Sequence, residues 1–271
     1  MNDAFISPNA LNDAFIAVAA TVGGVAVDES EVDARERELR AGPVRGTLPR
    51  PHTSEGRQLR RWVVQVLVAE RLVAEEAAAR GLTSADAPDL AAIAPDRAAM
   101  LGIGSVAADL LARNPLARTV FRAVTADIAV PAADVERYYH ANPERYRHEE
   151  RRIVRHALGD APVADRPLRT VRRGELPSTL ADAVFAAEPG AVVGPVADPL
   201  GTHVVRVAEV VPANTVPLAE ARADIAAHLL AAARRRAFTA WLDQRAADVV
   251  ALAPGFEHPG DPRQPDNTHR H

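Results

Sequence analysis

Cysteine and lysine are both absent from this chain of 271 residues, and aromatic residues make up only 4% of it. Without cysteine, a disulfide framework, a thiolate nucleophile and a cysteine-ligated metal site are all excluded. The 32 basic residues are all arginine, and they leave a formal net charge of −4 at pH 7. A nearly balanced charge with few aromatic side chains for stacking on bases argues against nucleic acid as a partner.

Long hydrophobic runs are also missing, since no stretch approaches the ~18 apolar residues that a membrane span requires. The first residues lack the basic start and the unbroken apolar run of a secretory signal, because they begin acidic and are interrupted by Pro8, Asn9 and Asn12. We therefore expect a cytoplasmic protein with no membrane partner. No phosphate-binding glycine loop, metal-ligand cluster or Ser-His-Asp order is visible, so neither a cofactor nor a metal is expected.

The first 130 residues show mainly helical patterns. Two short apolar runs flank Gly23-Gly24, and a helix follows that Asp28 or Ser30 can cap. Apolar residues at helical spacing then predict a helix over residues 57–80, which Gly81 ends. Two further helices are expected over residues 96–124. We therefore assign residues 1–130 to a helical domain.

The C-terminal part of the chain predicts one long helix. Pro217 can occupy its first turn, and apolar residues recur near a period of 3.6 up to about Val250. Such a helix spans ~50 Å, so residues 213–252 need a partner domain to cover their apolar stripe. The following residues, 253–271, are rich in proline and polar residues and predict a disordered tail.

Two predicted strands between these regions each place one histidine on an apolar face. Side chains alternate along a strand, so His156 shares a face with Val154 and Leu158. By the same rule, His203 shares a face with Val205 and Val207. If the strands are neighbours, the two imidazoles meet beneath a shallow apolar pocket.

Residues 131–212 also carry a series of motifs in a fixed order. The chain reads ANPERYR and then RIVRHALG, followed by LADAVF, EPGAVVGPV and GTHVVRV. This series resembles parvulin or PpiC-type peptidyl-prolyl isomerases and the SurA-type chaperones that contain such modules. The resemblance implies an α+β fold, with a helical N-terminal domain, a parvulin-like module and a C-terminal helix that packs back on the helical domain.

The resemblance also implies roles for particular residues. His156 and His203 match the paired histidines of the family's active site. Leu176, Leu180, Phe185 and Val205 would line the pocket that holds the proline ring. Core packing is the alternative role for the histidines and for the first three pocket residues.

The sequence departs from the family between these motifs. Only about fifteen residues separate His156 from Arg172, where a parvulin has a long helical insertion and a strand that carries an acid or a thiol. We therefore expect a shortened, degenerate module.

Together these features predict a protein that binds a polypeptide client, as a chaperone or maturation factor, with weak or absent prolyl isomerase activity. One alternative is an active peptidyl-prolyl cis-trans isomerase. Another is a dedicated non-catalytic partner that stabilises one co-produced enzyme.

Overall fold

The computed structural model describes residues 17–159, 161–261, 263, 264 and 266. The described chain forms two compact units. The first unit combines the residues up to Ala129 with those from Leu230 onward, and the second is Val130–Leu229. The expected α+β class is confirmed, because a largely helical unit and a small sheet-based unit are both present.

A small antiparallel sheet belongs to the first unit. Its strands β1 (Val18–Val22) and β2 (Val25–Asp28) form a hairpin around Gly23 and Gly24, which have φ values of 56° and 86° that favour glycine. A third strand, β9 (Val250–Leu252), pairs with β1 from the other end of the chain. Three residues are too few to show an alternating pattern, so the sequence did not predict β9.

Helices make up the rest of the first unit. They are α1 (Glu29–Ala41), α2 (Ser54–Arg80), α3 (Leu90–Ile93), α4 (Arg97–Leu101), α5 (Ser105–Arg113) and α6 (Pro115–Val124). Helix α2 begins where the Thr53 hydroxyl accepts a hydrogen bond from the Gly56 amide at 3.0 Å, and it ends at Gly81, which is left-handed. The Asn114 side chain caps α6 and separates it from α5.

The C-terminal helix α9 (Leu218–Val249) begins in the second unit and ends in the first. Phe238 and Leu242 are buried in the largest core cluster of the helical unit, so the expected packing of this helix on the helical domain is confirmed for its second half. The first half differs from the expectation, because Ala221 and Ile225 pack on Val135 inside the second unit. One helix therefore buries two separate apolar segments in two different cores.

The predicted disordered tail, residues 253–271, is corrected for the part that the structure describes. Phe256 is buried in the core of the first unit. Arg61, only 2% exposed, lies 2.8 Å from Asp266 and 3.5 Å from Glu257. Hydrogen bonds from Arg57 and Arg61 lower the pKa of Asp266. The polar composition of this segment does not reveal these contacts. Phe256 packs in the core, and Asp266 and Glu257 balance the buried charge of Arg61, as a buried charge requires.

The second unit is built on a four-stranded antiparallel sheet in the order β5-β4-β7-β6. Its strands are β4 (Arg151–Leu158), β5 (Arg169–Arg172), β6 (Val192–Asp198) and β7 (Gly201–Val211). Helix α8 (Ser178–Ala186) covers one face and contributes Leu180, Val184 and Phe185 to the core.

The remaining elements of the second unit form a smaller cluster. Helix α7 (Ala132–Ala141) packs on the start of α9, and the Tyr139 hydroxyl donates to the Val216 carbonyl at 2.7 Å. Beside it, β3 (Arg147–His148) pairs with β8 (Asn214–Thr215). None of the helices in the described residues is both long enough and apolar enough to cross a membrane.

Candidate active site

The two histidines meet on one face of the central strand pair. Strands β4 and β7 are antiparallel neighbours, with His156 opposite Val205 and His203 opposite Leu158. The Nε2 atom of His156 lies 2.8 Å from Nδ1 of His203, and the rings stack with centroids 5.0 Å apart. Alternation along each strand and the antiparallel register therefore bring together the imidazoles that the sequence placed on apolar faces.

Two charged residues extend this pair into a chain of polar contacts. The Arg169 guanidinium on β5 contacts Nδ1 of His156, and Asp198 Oδ1 at the end of β6 lies 2.8 Å from Nε2 of His203. Because arginine only donates, Nδ1 of His156 accepts from Arg169, and its Nε2 then donates to Nδ1 of His203. Nε2 of His203 faces the Asp198 carboxylate.

Asp198 is the acidic group that sequence reasoning missed. The family pattern places an acid or thiol on a strand after the first histidine, whereas here the carboxylate comes from the turn that precedes β7. Asp198 pairs with Gly201 in that hairpin, and its Oδ1 also accepts from the Leu200 amide at 2.8 Å. The signal available in the sequence was the turn Asp198-Pro199-Leu200-Gly201, which begins five residues before His203.

The surroundings keep His156 neutral and Asp198 ionised. Burial lowers the pKa of His156, and the nearby Arg169 and His203 lower it further, against an opposing effect of Asp198. The hydrogen bond from His203 lowers the pKa of Asp198. The site is thus a pair of stacked imidazoles between a guanidinium and a carboxylate.

The predicted pocket residues divide into core and edge positions. Leu180 and Val205 are 0% exposed and pack with Val154 and Val184. They support the site from beneath and offer no surface to a ligand in this conformation. Leu176 is partly buried at the edge of the same cluster, and Phe185 is 7% exposed.

Two arginines cover the ring of Phe185. The guanidinium carbons of Arg152 and Arg173 lie 5.2 Å and 5.0 Å from the ring centroid, within the range of a cation–π contact. Arg152 is buried and also donates to the Phe185 carbonyl. The side chain of Arg173 is 57% exposed and pairs with Asp182 at 2.6 Å, so it can move away from the ring more easily than Arg152.

We expect the stability of the second unit to fall as the pH drops below about 6.5, the ordinary histidine pKa. Since the pKa of His156 is lowered in the folded state, the unfolded chain binds a proton that the folded chain does not, and stability rises with pH through this window. Urea denaturation between pH 5.5 and 7.5 measures the slope. His156→Gln should reduce it, and His140→Gln, on the exposed side of α7, serves as the control. An unchanged slope in His156→Gln would contradict this assignment.

Comparison with known families gives a match within the second unit. Residues 157–223 match the family described as PPIC-type PPIASE domain. The second unit is PpiC-like. The resemblance expected from the motifs is thereby confirmed, and the match contains His203, Asp198 and all four predicted pocket residues. The PpiC-like module is short, because the described residues between β4 and β5 contain only a 3-10 turn, Val163–Asp165. Residues 18–55 match a family of unknown function, DUF7158.

Solved structures provide a weaker likeness. Two structures described as SurA-like chaperones of Campylobacter jejuni are 17% and 9% identical to the chain, with TM-scores of 0.39 and 0.40. They cover 86% and 88% of this chain and 96% and 99% of their own. The foldase protein PrsA of Lactococcus lactis is 10% identical, with a TM-score of 0.30 and coverage of 88% and 95%. Comparison with curated proteins gave no match.

Proposed function

We propose that this chain binds non-native polypeptides as a parvulin-like chaperone and has weak or no prolyl isomerase activity. The observation that carries the proposal is the condition of the PpiC-like pocket. The two histidines contact each other and charged residues, but Leu180 and Val205 are buried in the core and arginines cover Phe185. An apolar edge beside the movable Arg173 suits weak contact with extended chains better than tight binding of one proline ring.

Isomerisation would require more enclosure than this surface provides. The barrier to rotation about a peptide bond is about 18–20 kcal/mol and arises from amide resonance. A protein lowers it by binding the twisted amide better than the planar one, in a pocket that removes water from the carbonyl. With no helix between β4 and β5 in the described residues, that side of the PpiC-like module has less protein to exclude solvent.

Active isomerisation is the second candidate, and the histidine array favours it. Both imidazoles are oriented by charged partners, with Arg169 at one end and Asp198 at the other. A core histidine pair would not need charged groups at both ends.

Client binding is tested by the aggregation of a chemically denatured protein diluted into buffer with or without the full chain. We expect the chain to suppress light scattering at near-equimolar ratio. Arg173→Ala should suppress scattering at a lower ratio, because it removes one of the two guanidinium groups that lie over the Phe185 ring. Arg206→Ala, which removes an exposed arginine elsewhere on the sheet, should behave like the wild type. Failure of the wild-type chain to suppress scattering at several-fold excess would overturn the proposal.

A further inference from the structure

A cleft of about 590 Å³ lies in the second unit, at the end of β4 away from His156. It is formed where the 3-10 turn Pro143–Arg145 and strand β3 meet the first residues of β4 and the last residue of β5. The charged groups around it include four arginines and two glutamates: Arg145, Arg147, Arg151, Arg172, Glu144 and Glu149. The cleft is therefore a local concentration of positive charge.

The arrangement of the arginines destabilises the unbound protein. Arg151 and Arg172 are direct partners across the β4–β5 ladder, and like charges directly opposite each other are destabilising. Arg172 has only a weak ion pair with Glu175 at 3.9 Å, and both side chains are more than half exposed. The cross-strand repulsion is thus offset only by this long, exposed ion pair.

Two of the arginines are also free of ion pairs. Within the described residues, neither Arg147 nor Arg151 lies within salt-bridge distance of a carboxylate, and the Nε of Arg151 is buried without an acceptor. Glu144 and Glu149 line the same cleft but are not paired with these arginines in the described chain. The exposed guanidinium of Arg147 therefore remains available to an external anion.

We propose that this cleft binds an acidic segment of a polypeptide client. Guanidinium groups match carboxylates in a planar, two-pronged geometry, and an anion between Arg151 and Arg172 would relieve their repulsion. The unit as a whole contains more acidic than basic residues, so the cleft differs from a broad basic surface for nucleic acid. The inference rests on the proposed function and names the class of client.

The cleft and the histidine pair lie on opposite faces of the sheet. Arg151 and His156 are five residues apart on β4, and side chains alternate along a strand, so Arg151 faces away from His156. Arg172 follows Arg169 by three residues on β5 and likewise faces away from the side chain that contacts His156. An acidic segment bound in the cleft therefore contacts a surface separate from the histidine site.

Fluorescence anisotropy with two labelled peptides tests the inference on the full chain. One peptide carries glutamates, and the other carries glutamines at the same positions in an otherwise identical apolar sequence. We expect the glutamate peptide to bind more tightly, with a preference that weakens as salt is added. Arg147→Glu should weaken its binding by about fivefold to tenfold, whereas binding of the glutamine peptide should change little.

Two further variants distinguish binding in the cleft from a general effect of charge and from a loss of folding. Arg206→Glu makes the same change of charge at another exposed strand position and should leave the preference intact. Arg172→Gln should weaken binding of the glutamate peptide. The melting temperature of this variant should equal or exceed that of the wild type, because the like-charge pair Arg151–Arg172 is removed. The inference would be overturned if the two peptides bound with equal affinity, or if Arg147→Glu and Arg206→Glu weakened binding of the glutamate peptide equally. Tighter binding of single-stranded DNA than of the glutamate peptide would also overturn it. If aggregation is still suppressed in that case, the chaperone proposal survives. If neither peptide binds and aggregation is not suppressed, both fail.

Discussion

Phe238→Ala should lower the free energy of unfolding of the helical unit by about 4 kcal/mol, the range for truncating a fully buried aromatic residue. Phe238 is 0% exposed, its ring lies 5.3 Å from that of Phe121, and it stacks on Trp241 at 5.7 Å. The change leaves a cavity in the largest core cluster of this unit. Urea denaturation followed by circular dichroism measures the loss.

Arg236→Ala is the matched control, because it truncates an exposed side chain on the same helix two residues away. It should change stability by less than about 0.5 kcal/mol.

The same packing implies that residues 1–129 do not fold alone, since they lack the α9 side chains that complete their core. A small effect of Phe238→Ala, or a cooperative melt of residues 1–129, would contradict the view that the C-terminal helix belongs to this core.

The sequence predicted most of what depends on local periodicity. Alternation along β4 and β7 placed His156 and His203 on apolar faces, and the order of the motifs indicated the PpiC-like resemblance that the match over residues 157–223 confirms. The helical character of the first unit and the packing of Phe238 followed from a period near 3.6. Each of these features depends on residues that lie close together in the chain.

The missed features depend on contacts between distant residues. Arg169 reaches His156 only because β5 pairs with β4 in one particular register, and Asp198 reaches His203 through the geometry of one hairpin. The C-terminal segment was misjudged for the same reason, because its composition does not show that Asp266 neutralises Arg61. Likewise, no local sequence pattern indicates that Arg152 and Arg173 lie over the ring of Phe185.

We expect the full chain to accelerate cis-to-trans conversion of a short X-Pro peptide by no more than about tenfold, which corresponds to about 1.4 kcal/mol of preferential binding to the twisted amide. The reason is the covered ring of Phe185 and the core position of Leu180. His203→Ala should mainly affect stability, since it removes a buried group that contacts both His156 and Asp198. Thermal melting of this variant, beside its peptide rate, separates the two effects.

The most direct test of the central claim measures both activities in one sample. Exchange spectroscopy on an X-Pro peptide gives the isomerisation rate, and suppression of aggregation by the same preparation gives client binding. We predict near-background exchange together with strong suppression, and suppression should persist in any His203→Ala protein that remains folded. Exchange as fast as that of an ordinary parvulin, abolished in folded His156→Ala and His203→Ala variants, would contradict the account and establish an isomerase instead.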